Sequence, residues 1–279
     1  MKIMLLGSTG LLGTAIEKVC KDRNVECVSI MHKQLEITNP LELNEVIKRF
    51  MPTVVINTVA IPGIDQCELE PQRAFDVNSI AVLNLAKICE KNKITLMQIS
   101  SSSVFDGTKD DFYAEKDEVN PTGVYSASKY ISECFVKNIC SKHYIIRLPM
   151  LFGRRRNKPA RFVDKVIEKI KRDEEIKASI DRIDTPTYTL DAANIILYLI
   201  EKENSGIYHV SNSGKTNIYS FVKKLCELME SNAKIIKVKE NDFKSIAYKP
   251  LKLALKSVKI EPLRKWEDAL HEFVTRELK

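Results

Sequence analysis

Short apolar runs alternate with helical periodicity through the first half of the chain, and this alternation restricts the fold more than any other feature. The apolar runs lie near residues 2–6, 25–30, 53–57, 94–100 and 143–148. The segments between them predict helices near residues 11–22, 40–50, 70–91 and 122–140. Strands connected through helices pair in parallel, and the helices cover both faces of the sheet. The sequence therefore predicts an α/β fold with a Rossmann-type, doubly wound parallel sheet.

The alternation becomes looser beyond residue 150. Helices are predicted near residues 160–172, 188–202, 217–230 and 264–277, and short strands near 206–210 and 233–238. We therefore expect a Rossmann domain over residues 1–150 and a smaller α/β substrate-binding lobe over 151–279, with part of the lobe free to pack back on the Rossmann sheet. A crevice at the carboxyl ends of the parallel strands is the expected binding site.

A glycine loop connects the first predicted strand to the first predicted helix. It reads Gly7-Ser8-Thr9-Gly10-Leu11-Leu12-Gly13, a G-x-x-G-x-x-G spacing. Glycines let the chain turn sharply and let a diphosphate approach the N–H groups at the helix N-terminus. The loop therefore predicts a dinucleotide site formed by Gly7, Thr9, Gly10, Leu11, Leu12 and Gly13, with a simple tight turn as the alternative.

Tyr125 and Lys129 lie four residues apart in the predicted helix near 122–140. Residues with that spacing share one helix face, so the phenol and the ammonium can point into the same pocket. A lysine in that place would lower the tyrosine pKa, and the phenol could exchange a proton with a carbonyl or an alcohol. Together with the glycine loop, the pair indicates a nicotinamide oxidoreductase, although the spacing by itself also occurs in solvated pairs.

These motifs, with residues 57–60 (Asn-Thr-Val-Ala) and 100–107 (Ser-Ser-Ser-Ser-Val-Phe-Asp-Gly), resemble the extended short-chain dehydrogenases/reductases. Within that group the chain most resembles the dTDP-4-dehydrorhamnose reductases. The matching segments follow in the same order at residues 65–78, 104–107, 186–188, 206–211 and 266–270. The resemblance implies NAD(P)H-dependent reduction of a nucleotide-linked 4-keto-6-deoxy sugar to the 4-hydroxy sugar, in the biosynthesis of a deoxysugar such as dTDP-rhamnose.

The resemblance also implies a role for particular residues. Tyr125 would donate the proton, Lys129 would hold the nicotinamide ribose, and the Ser101 hydroxyl would hydrogen-bond the reacting oxygen. Further cofactor contacts are expected at Thr58, Val59, Ala60, Asn78 and Ser100. Substrate contacts are expected at Ser102, Ser103, Val104, Phe105, Met150, Arg154, Arg161 and Thr187. The cluster Arg154-Arg155-Arg156, with Lys158 and Arg161, lies where the family receives the nucleotide, and guanidinium groups suit a diphosphate.

The residues at the end of the second predicted strand indicate which cofactor to expect. An acidic residue at its end would bind the ribose 2′-hydroxyl of NAD, but the strand ends Ser-Ile-Met before His32 and Lys33. NADPH is therefore favoured, with His32 and Lys33 as contacts. Glu36 and Ile37 resemble the acidic-Ile pair that flanks the adenine in the family, so NADH use stays open.

Composition points to a soluble cytoplasmic enzyme. The 279 residues are 44% hydrophobic, no apolar stretch approaches 18 residues, and no signal-peptide pattern precedes the first strand. The seven cysteines form no CxxC pair and the four histidines show no metal-ligand spacing, so we expect reduced thiols and no metal. The charge of +7 is spread along helices, so we expect no nucleic-acid partner. Some relatives dimerise, so a homodimer is one expected state.

Two departures from the rhamnose enzymes keep other functions open. Residues 101–103 are serines where those enzymes carry Thr-Asp-Tyr, and Met150 stands where they carry a tryptophan. A different deoxysugar, or no turnover, would be compatible with these changes. Residues 147–153 also resemble the regulatory beta subunit of methionine adenosyltransferase, which binds a dinucleotide and a protein partner. The alternatives are therefore such a regulatory protein, and an epimerase or other sugar-nucleotide enzyme.

Overall fold

The computed structural model describes residues 1–156, 161–202 and 204–278. The strands are β1 (Lys2–Leu6), β2 (Glu26–Ile30), β3 (Val54–Asn57), β4 (Thr95–Ser101), β5 (His143–Leu148), β6 (Leu151–Phe152), β7 (Ile176–Ser179), β8 (Ile183–Asp184), β9 (Thr187–Tyr188), β10 (Gly206–His209), β11 (Thr216–Asn217) and β12 (Ile235–Val238). The α-helices are α1 (Leu11–Asp22), α2 (Pro40–Phe50), α3 (Ile64–Leu69), α4 (Pro71–Phe75), α5 (Ala81–Lys91), α6 (Val124–Ile139), α7 (Phe162–Lys171), α8 (Thr189–Lys202), α9 (Ile218–Leu228) and α10 (Trp266–Phe273).

The main sheet has six parallel strands in the order β10-β5-β4-β3-β1-β2. Successive side chains of a strand point to opposite faces, which explains the two cores. Ile3 and Leu5 of β1 pack with α1 and α8, whereas Met4 and Leu6 pack with α2, α5 and α6. Helices therefore cover both faces, and the predicted Rossmann-type fold class is confirmed.

The structure changes the expected place of two elements and divides a third. The strand expected near 206–210 in the smaller lobe is β10, which pairs in parallel with β5, from Gly206 opposite Tyr144 to His209 opposite Arg147. Helix α8, expected in the smaller lobe, instead packs beside α1 on the main sheet. Its buried alanines are small enough to allow this close approach. The helix expected over 70–91 begins at Pro71, because Pro71 disfavours helical backbone in Glu70, and the π-helical turn Asp76–Ile80 divides it into α4 and α5.

The remaining elements pack into a smaller lobe, named the substrate lobe after its expected role. Short pairs β7 with β12, β8 with β11 and β6 with β9 surround a core from α7, α9 and α10. Phe152 lies at the centre of this core, with its ring 5.5 Å from Tyr188 and 5.6 Å from Phe273. In the described part of the chain, we find no helix with both the length and the apolar character needed to cross a bilayer.

Candidate active site

A cavity of about 810 Å³ lies between the sheet and the substrate lobe. It is lined by the carboxyl ends of β4 and β5 and by the segments that follow β1, β3 and β5, as expected for an open parallel sheet. The residues predicted from the sequence that line this cavity are Gly10, Leu11, Leu12, Thr58, Ala60, Ser100, Ser101, Tyr125, Lys129, Met150 and Arg161. The structure thus brings the glycine loop, the catalytic candidates and part of the predicted substrate set to one place.

The glycine loop forms a cradle that only small residues permit. Gly7 has φ +80°, and a Cβ on it would lie 2.6 Å from Thr58 Oγ1. A Cβ on Gly13 would lie 2.3 Å from the Gly7 carbonyl oxygen. Gly10 precedes α1 and has no side chain to cap the helix N–H groups, and the first turn carries no acidic residue. The backbone and the helix N-terminus therefore fit the diphosphate of a dinucleotide.

Neighbouring groups hold the cradle in place. The Thr58 hydroxyl donates to the Leu6 carbonyl at 2.7 Å, and the Gly7 N–H donates to the Ile30 carbonyl at 3.2 Å. Asn78 is fully buried, donates to Ser128 Oγ at 3.0 Å and accepts from the Ile61 N–H at 2.8 Å. Thr58 and Asn78 thus fix the loops after β1 and β3 relative to each other and to α6.

The other predicted cofactor residues have different surroundings. His32 and Lys33 are exposed in the short turn His32–Gln34 after β2. The Glu36 carboxylate accepts from Thr38, with 2.9 Å to its hydroxyl. Ile37 is buried in the core, and Val59 is partly buried against the same core cluster. A basic pair therefore stands exposed at the end of β2, while Glu36 is already engaged by its own loop.

Tyr125 and Lys129 share one face of α6, but their electrostatics differ from the expectation. Lys129 is only 2% exposed, and its Nζ donates to the Ile99 carbonyl at 2.6 Å. Burial lowers the pKa of Lys129 to about 8, against the opposing effect of Glu133. Burial likewise raises the pKa of Tyr125, and hydrogen bonding with Ser101 opposes it. The net pKa of Tyr125 is therefore raised in this structure, not lowered as expected, because burial outweighs the opposing effects.

The four consecutive serines have separate environments. Ser100 is buried, and its hydroxyl donates to Glu133 Oε1 at 2.5 Å. Ser101 Oγ accepts from the Ser103 N–H at 3.1 Å and lines the cavity beside Tyr125. Ser102 is buried, and Ser103 is half-buried. Ser100 and Ser101 therefore both line the cavity with Tyr125 and Lys129, but the Ser100 hydroxyl is bound to Glu133, whereas Ser101 hydrogen-bonds with Tyr125.

A buried ion pair connects helix α6, which carries Tyr125 and Lys129, to the main sheet. Arg147 on β5 donates to the Glu133 carboxylate on α6, with 2.7 Å between Nη2 and Oε2, and both side chains are 3% exposed. Because Ser100 on β4 donates to the same carboxylate, Glu133 connects three elements that carry or flank the catalytic candidates. Sequence reasoning did not identify Glu133, although it lies four residues beyond Lys129 on the same helix face.

Three predicted substrate contacts lie in the core. Val104 and Phe105 are fully buried, and the Phe105 ring stacks on Tyr113 at 4.2 Å. Thr187 is also fully buried, and its hydroxyl donates to the Thr185 carbonyl at 3.0 Å. These side chains support the walls of the cavity instead of facing it. Met150 lines the cavity, and its N–H donates to Asp184 at 3.2 Å.

The arginine cluster separates into different roles. Arg154, expected at the substrate, is exposed, whereas Arg155 lines the cavity with buried Nε and Nη1 atoms that have no hydrogen-bond partner. Arg156 forms an ion pair with Glu17 on α1. Arg161 lines the cavity, and Lys158 lies outside the described residues. The structure therefore places Arg155 where the sequence analysis had placed Arg154.

The substrate lobe adds charged side chains that sequence reasoning missed. Lys177, Arg182, Lys244 and Lys249 line the cavity, as does Phe243. These residues are far apart in sequence and resemble ordinary solvated charges, so no local signal marked them. Among residues 1–156, 161–202 and 204–278, no group of three or more His, Cys, Asp or Glu side chains is placed to hold a metal ion.

Comparison with known proteins identifies relatives over the whole chain. A crystal structure of a dTDP-4-dehydrorhamnose reductase from Clostridium acetobutylicum is 32% identical, covers 100% of both chains and superposes with a TM-score of 0.94. The same enzyme from Bacillus anthracis, in complex with NADP, is 29% identical, covers 99% of both chains and has a TM-score of 0.93. The spore coat polysaccharide biosynthesis protein SpsK of Bacillus subtilis is 27% identical over 98% of this chain and 96% of its own length.

A family profile also matches nearly the whole chain. The profile of the RmlD substrate binding domain matches residues 1–278. That range contains the glycine cradle, the Tyr125 and Lys129 pair and the whole substrate lobe. The chain therefore belongs to the RmlD substrate binding domain family.

Proposed function

We propose that this protein is an NAD(P)H-dependent reductase that converts a nucleotide-linked 4-keto-6-deoxy sugar to the 4-hydroxy sugar, as in dTDP-rhamnose biosynthesis. The observation that carries the proposal is the shared cavity, in which Ser101, Tyr125 and Lys129 lie next to the glycine cradle. Relatives from Clostridium and Bacillus over the full chain are named dTDP-4-dehydrorhamnose reductases. This supports the reductase over the regulatory subunit resembling the beta subunit of methionine adenosyltransferase.

NADPH is the proposed cofactor, with NADH as a second substrate of the same site. The relative from Bacillus anthracis is in complex with NADP, and His32 and Lys33 supply basic groups at the end of β2 in this chain. The cradle of Gly7, Gly10 and Gly13 would hold the diphosphate. When bound, the reduced cofactor supplies the hydride for the carbonyl carbon.

Tyr125 is the proton donor in the proposed reaction. Burial keeps the phenol protonated at neutral pH, so it can deliver a proton to the oxygen that becomes the 4-hydroxyl. The Ser101 hydroxyl, which lines the same cavity, would orient that oxygen. Lys129, with a pKa of about 8, is mostly cationic at pH 7 and would stabilise the phenolate left after proton transfer.

The charges of the cavity suit a nucleotide sugar. Arg155, Arg161, Lys177, Arg182 and Lys249 are cations on its wall, and guanidinium groups bind diphosphates through paired hydrogen bonds. The unpartnered buried nitrogens of Arg155 would gain acceptors when an anion binds. A diphosphate next to the catalytic residues is therefore the proposed substrate feature.

We further propose that the enzyme works in the cytoplasm. All seven cysteines are free, and five of them are buried, which suits a reducing compartment. The expected homodimer stays a prediction.

The test is oxidation of NADPH and of NADH with dTDP-, UDP- and GDP-linked 4-keto-6-deoxyhexoses generated by a dehydratase, with and without a 3,5-epimerase. Tyr125→Phe should lower kcat by about 10²-fold or more, because general acid catalysis contributes that much. Tyr130→Phe on the same helix, a phenol that packs on a core cluster, should retain turnover. Cofactor binding without oxidation of any substrate in the panel would contradict the proposal.

A further inference from the structure

An irregular segment of the substrate lobe forms part of the cavity wall. Residues 243–250, here called the strap, follow the short turn Glu240–Asp242 and lack regular secondary structure. Phe243, Lys244 and Lys249 of the strap line the cavity. Two cationic side chains of this wall are therefore carried by backbone that neither a helix nor a strand holds in place.

Asp65 connects the middle of the strap to the Rossmann domain. It lies in the first turn of α3 and accepts from the Ser245 hydroxyl at 2.6 Å. The same oxygen, Oδ1, accepts from the N–H groups of Ile246 and Ala247, each at 3.0 Å. The Ser245 hydroxyl and the Ala247 N–H lower the pKa of Asp65, so the carboxylate is ionised at neutral pH. Charged acceptors make stronger hydrogen bonds than neutral ones, so this contact holds the backbone firmly.

Both ends of the strap are also anchored. Just before the strap, the carboxylate of the buried Glu240 lies 3.5 Å from the Arg182 guanidinium, and the Glu240 N–H donates to Asp181 at 2.8 Å. The same carboxylate lies 3.7 Å from Nζ of Lys249, near the end of the strap. At its end, Pro250 lies so close to Gly107 that a Cβ there would be 2.6 Å from the proline Cβ. The strap thus spans the two lobes, with the bonds to Asp65 between its anchored ends.

We propose that Asp65 is a positioning residue for the substrate, holding the strap so that Lys244 and Lys249, beside Arg182, face the diphosphate of the nucleotide sugar. The inference rests on the proposed function and adds the group that orients its diphosphate-binding side chains. Asp65 is itself an anion on the cavity wall, so its direct effect on a bound diphosphate is repulsive. Positioning and direct electrostatics therefore predict opposite consequences when the carboxylate is removed.

The experiment measures dTDP binding to the full chain by titration calorimetry with saturating NADP. Asp65→Ala removes the acceptor and should raise the dTDP Kd about tenfold, equivalent to about 1.4 kcal/mol. Asp65→Asn keeps an acceptor oxygen without the charge and should recover most of the affinity. In turnover, Asp65→Ala should raise KM for the sugar nucleotide and leave kcat and the NADPH Kd near the wild-type values.

The matched control is Glu90→Ala on α5. Glu90 accepts from the N–H and the hydroxyl of Ser141, at 2.8 and 2.9 Å, so it makes the same kind of contact at a different surface. This variant should bind dTDP as the wild type does. If Asp65→Ala proves unstable, Ser245→Ala removes one donor and should raise the dTDP Kd about threefold, equivalent to about 0.6 kcal/mol.

The outcomes separate this inference from the proposed function. Tighter or unchanged dTDP binding in Asp65→Ala, in an enzyme whose wild type turns over, would overturn the positioning role and leave the reductase function intact. A wild type that binds NADPH but neither binds dTDP, UDP or GDP nor turns over would overturn the proposed function, and the ligand of the strap with it.

Discussion

Gly13→Ala should damage both the fold and the cofactor site, because the added methyl group enters occupied space. Its Cβ would lie 2.3 Å from the Gly7 carbonyl oxygen and 2.8 Å from Ser8 Cα. A comfortable carbon–oxygen contact is about 3.2 Å or more, so the loop must move by roughly 0.9 Å. Overpacking of this kind costs about 1–3 kcal/mol, and alanine regains about 1 kcal/mol of helix propensity. The net expectation is a loss of stability of about 1 kcal/mol.

The cofactor site should suffer more than the fold. The atom that must move, Gly7 O, belongs to the cradle whose N–H groups would hold the diphosphate. We expect the NADPH Kd to rise at least about tenfold, measured by fluorescence titration, with stability measured by urea unfolding.

The comparison variant is Gly10→Ala, whose Cβ would lie 3.3 Å from the same oxygen and needs a much smaller shift, so its unfolding free energy should fall less than that of Gly13→Ala. Wild-type stability and NADPH affinity in Gly13→Ala would show that the loop is free to move, and would refute the steric argument.

Three further predictions concern charge. The pKa of Lys129 is about 8 in the fold and 10.5 in the unfolded chain, so the native state loses the lysine proton at lower pH than the unfolded state does. The free energy of unfolding should therefore rise by about 3 kcal/mol relative to Lys129→Met as the pH increases from about 8 to 10.5. An unchanged difference between the two unfolding curves across that range would contradict it. Glu133→Gln leaves the buried Arg147 uncompensated and should cost about 3–5 kcal/mol in urea unfolding, whereas Glu133→Gln with Arg147→Met should recover a large part. Lys33→Ala should weaken NADPH several-fold and NADH little in parallel titrations, and equal losses for both cofactors would show that Lys33 does not read the 2′-phosphate.

The agreement between sequence and structure is best where the signal is local. The first five strands lie within about a residue or two of their predicted positions, because the periodicity of strands and helices depends on residues close together in sequence. The helix over 70–91 was predicted less well, since the π-helical turn Asp76–Ile80 interrupts a pattern that resembles one continuous helix. The strand β10 was expected in the smaller lobe, with packing back on the Rossmann sheet left open, because a short apolar run does not specify its partner strand; it pairs with β5.

In the candidate site, too, the features that depend on neighbouring residues were predicted and the others were not. The spacing of Tyr125 and Lys129 placed both on one face of α6, and the glycine loop placed the cradle before α1. Which arginine of the cluster faces the cavity was not predictable, because an irregular segment has no periodicity from which side-chain direction follows. Glu133 and Asp65 were missed because a single carboxylate has no local signature until its partners are known.

The sequence by itself determined the order of strands and helices, the glycine cradle and the shared helix face of Tyr125 and Lys129, since each depends on residues within a few positions of one another. Only the tertiary structure decided which groups are buried and which distant residues meet. Burial reversed the expected pKa shift of Tyr125, and folding brought Asp65 against Ser245 from 180 positions away. Desolvation and long-range hydrogen bonds depend on the whole packed chain, so no local pattern contains them.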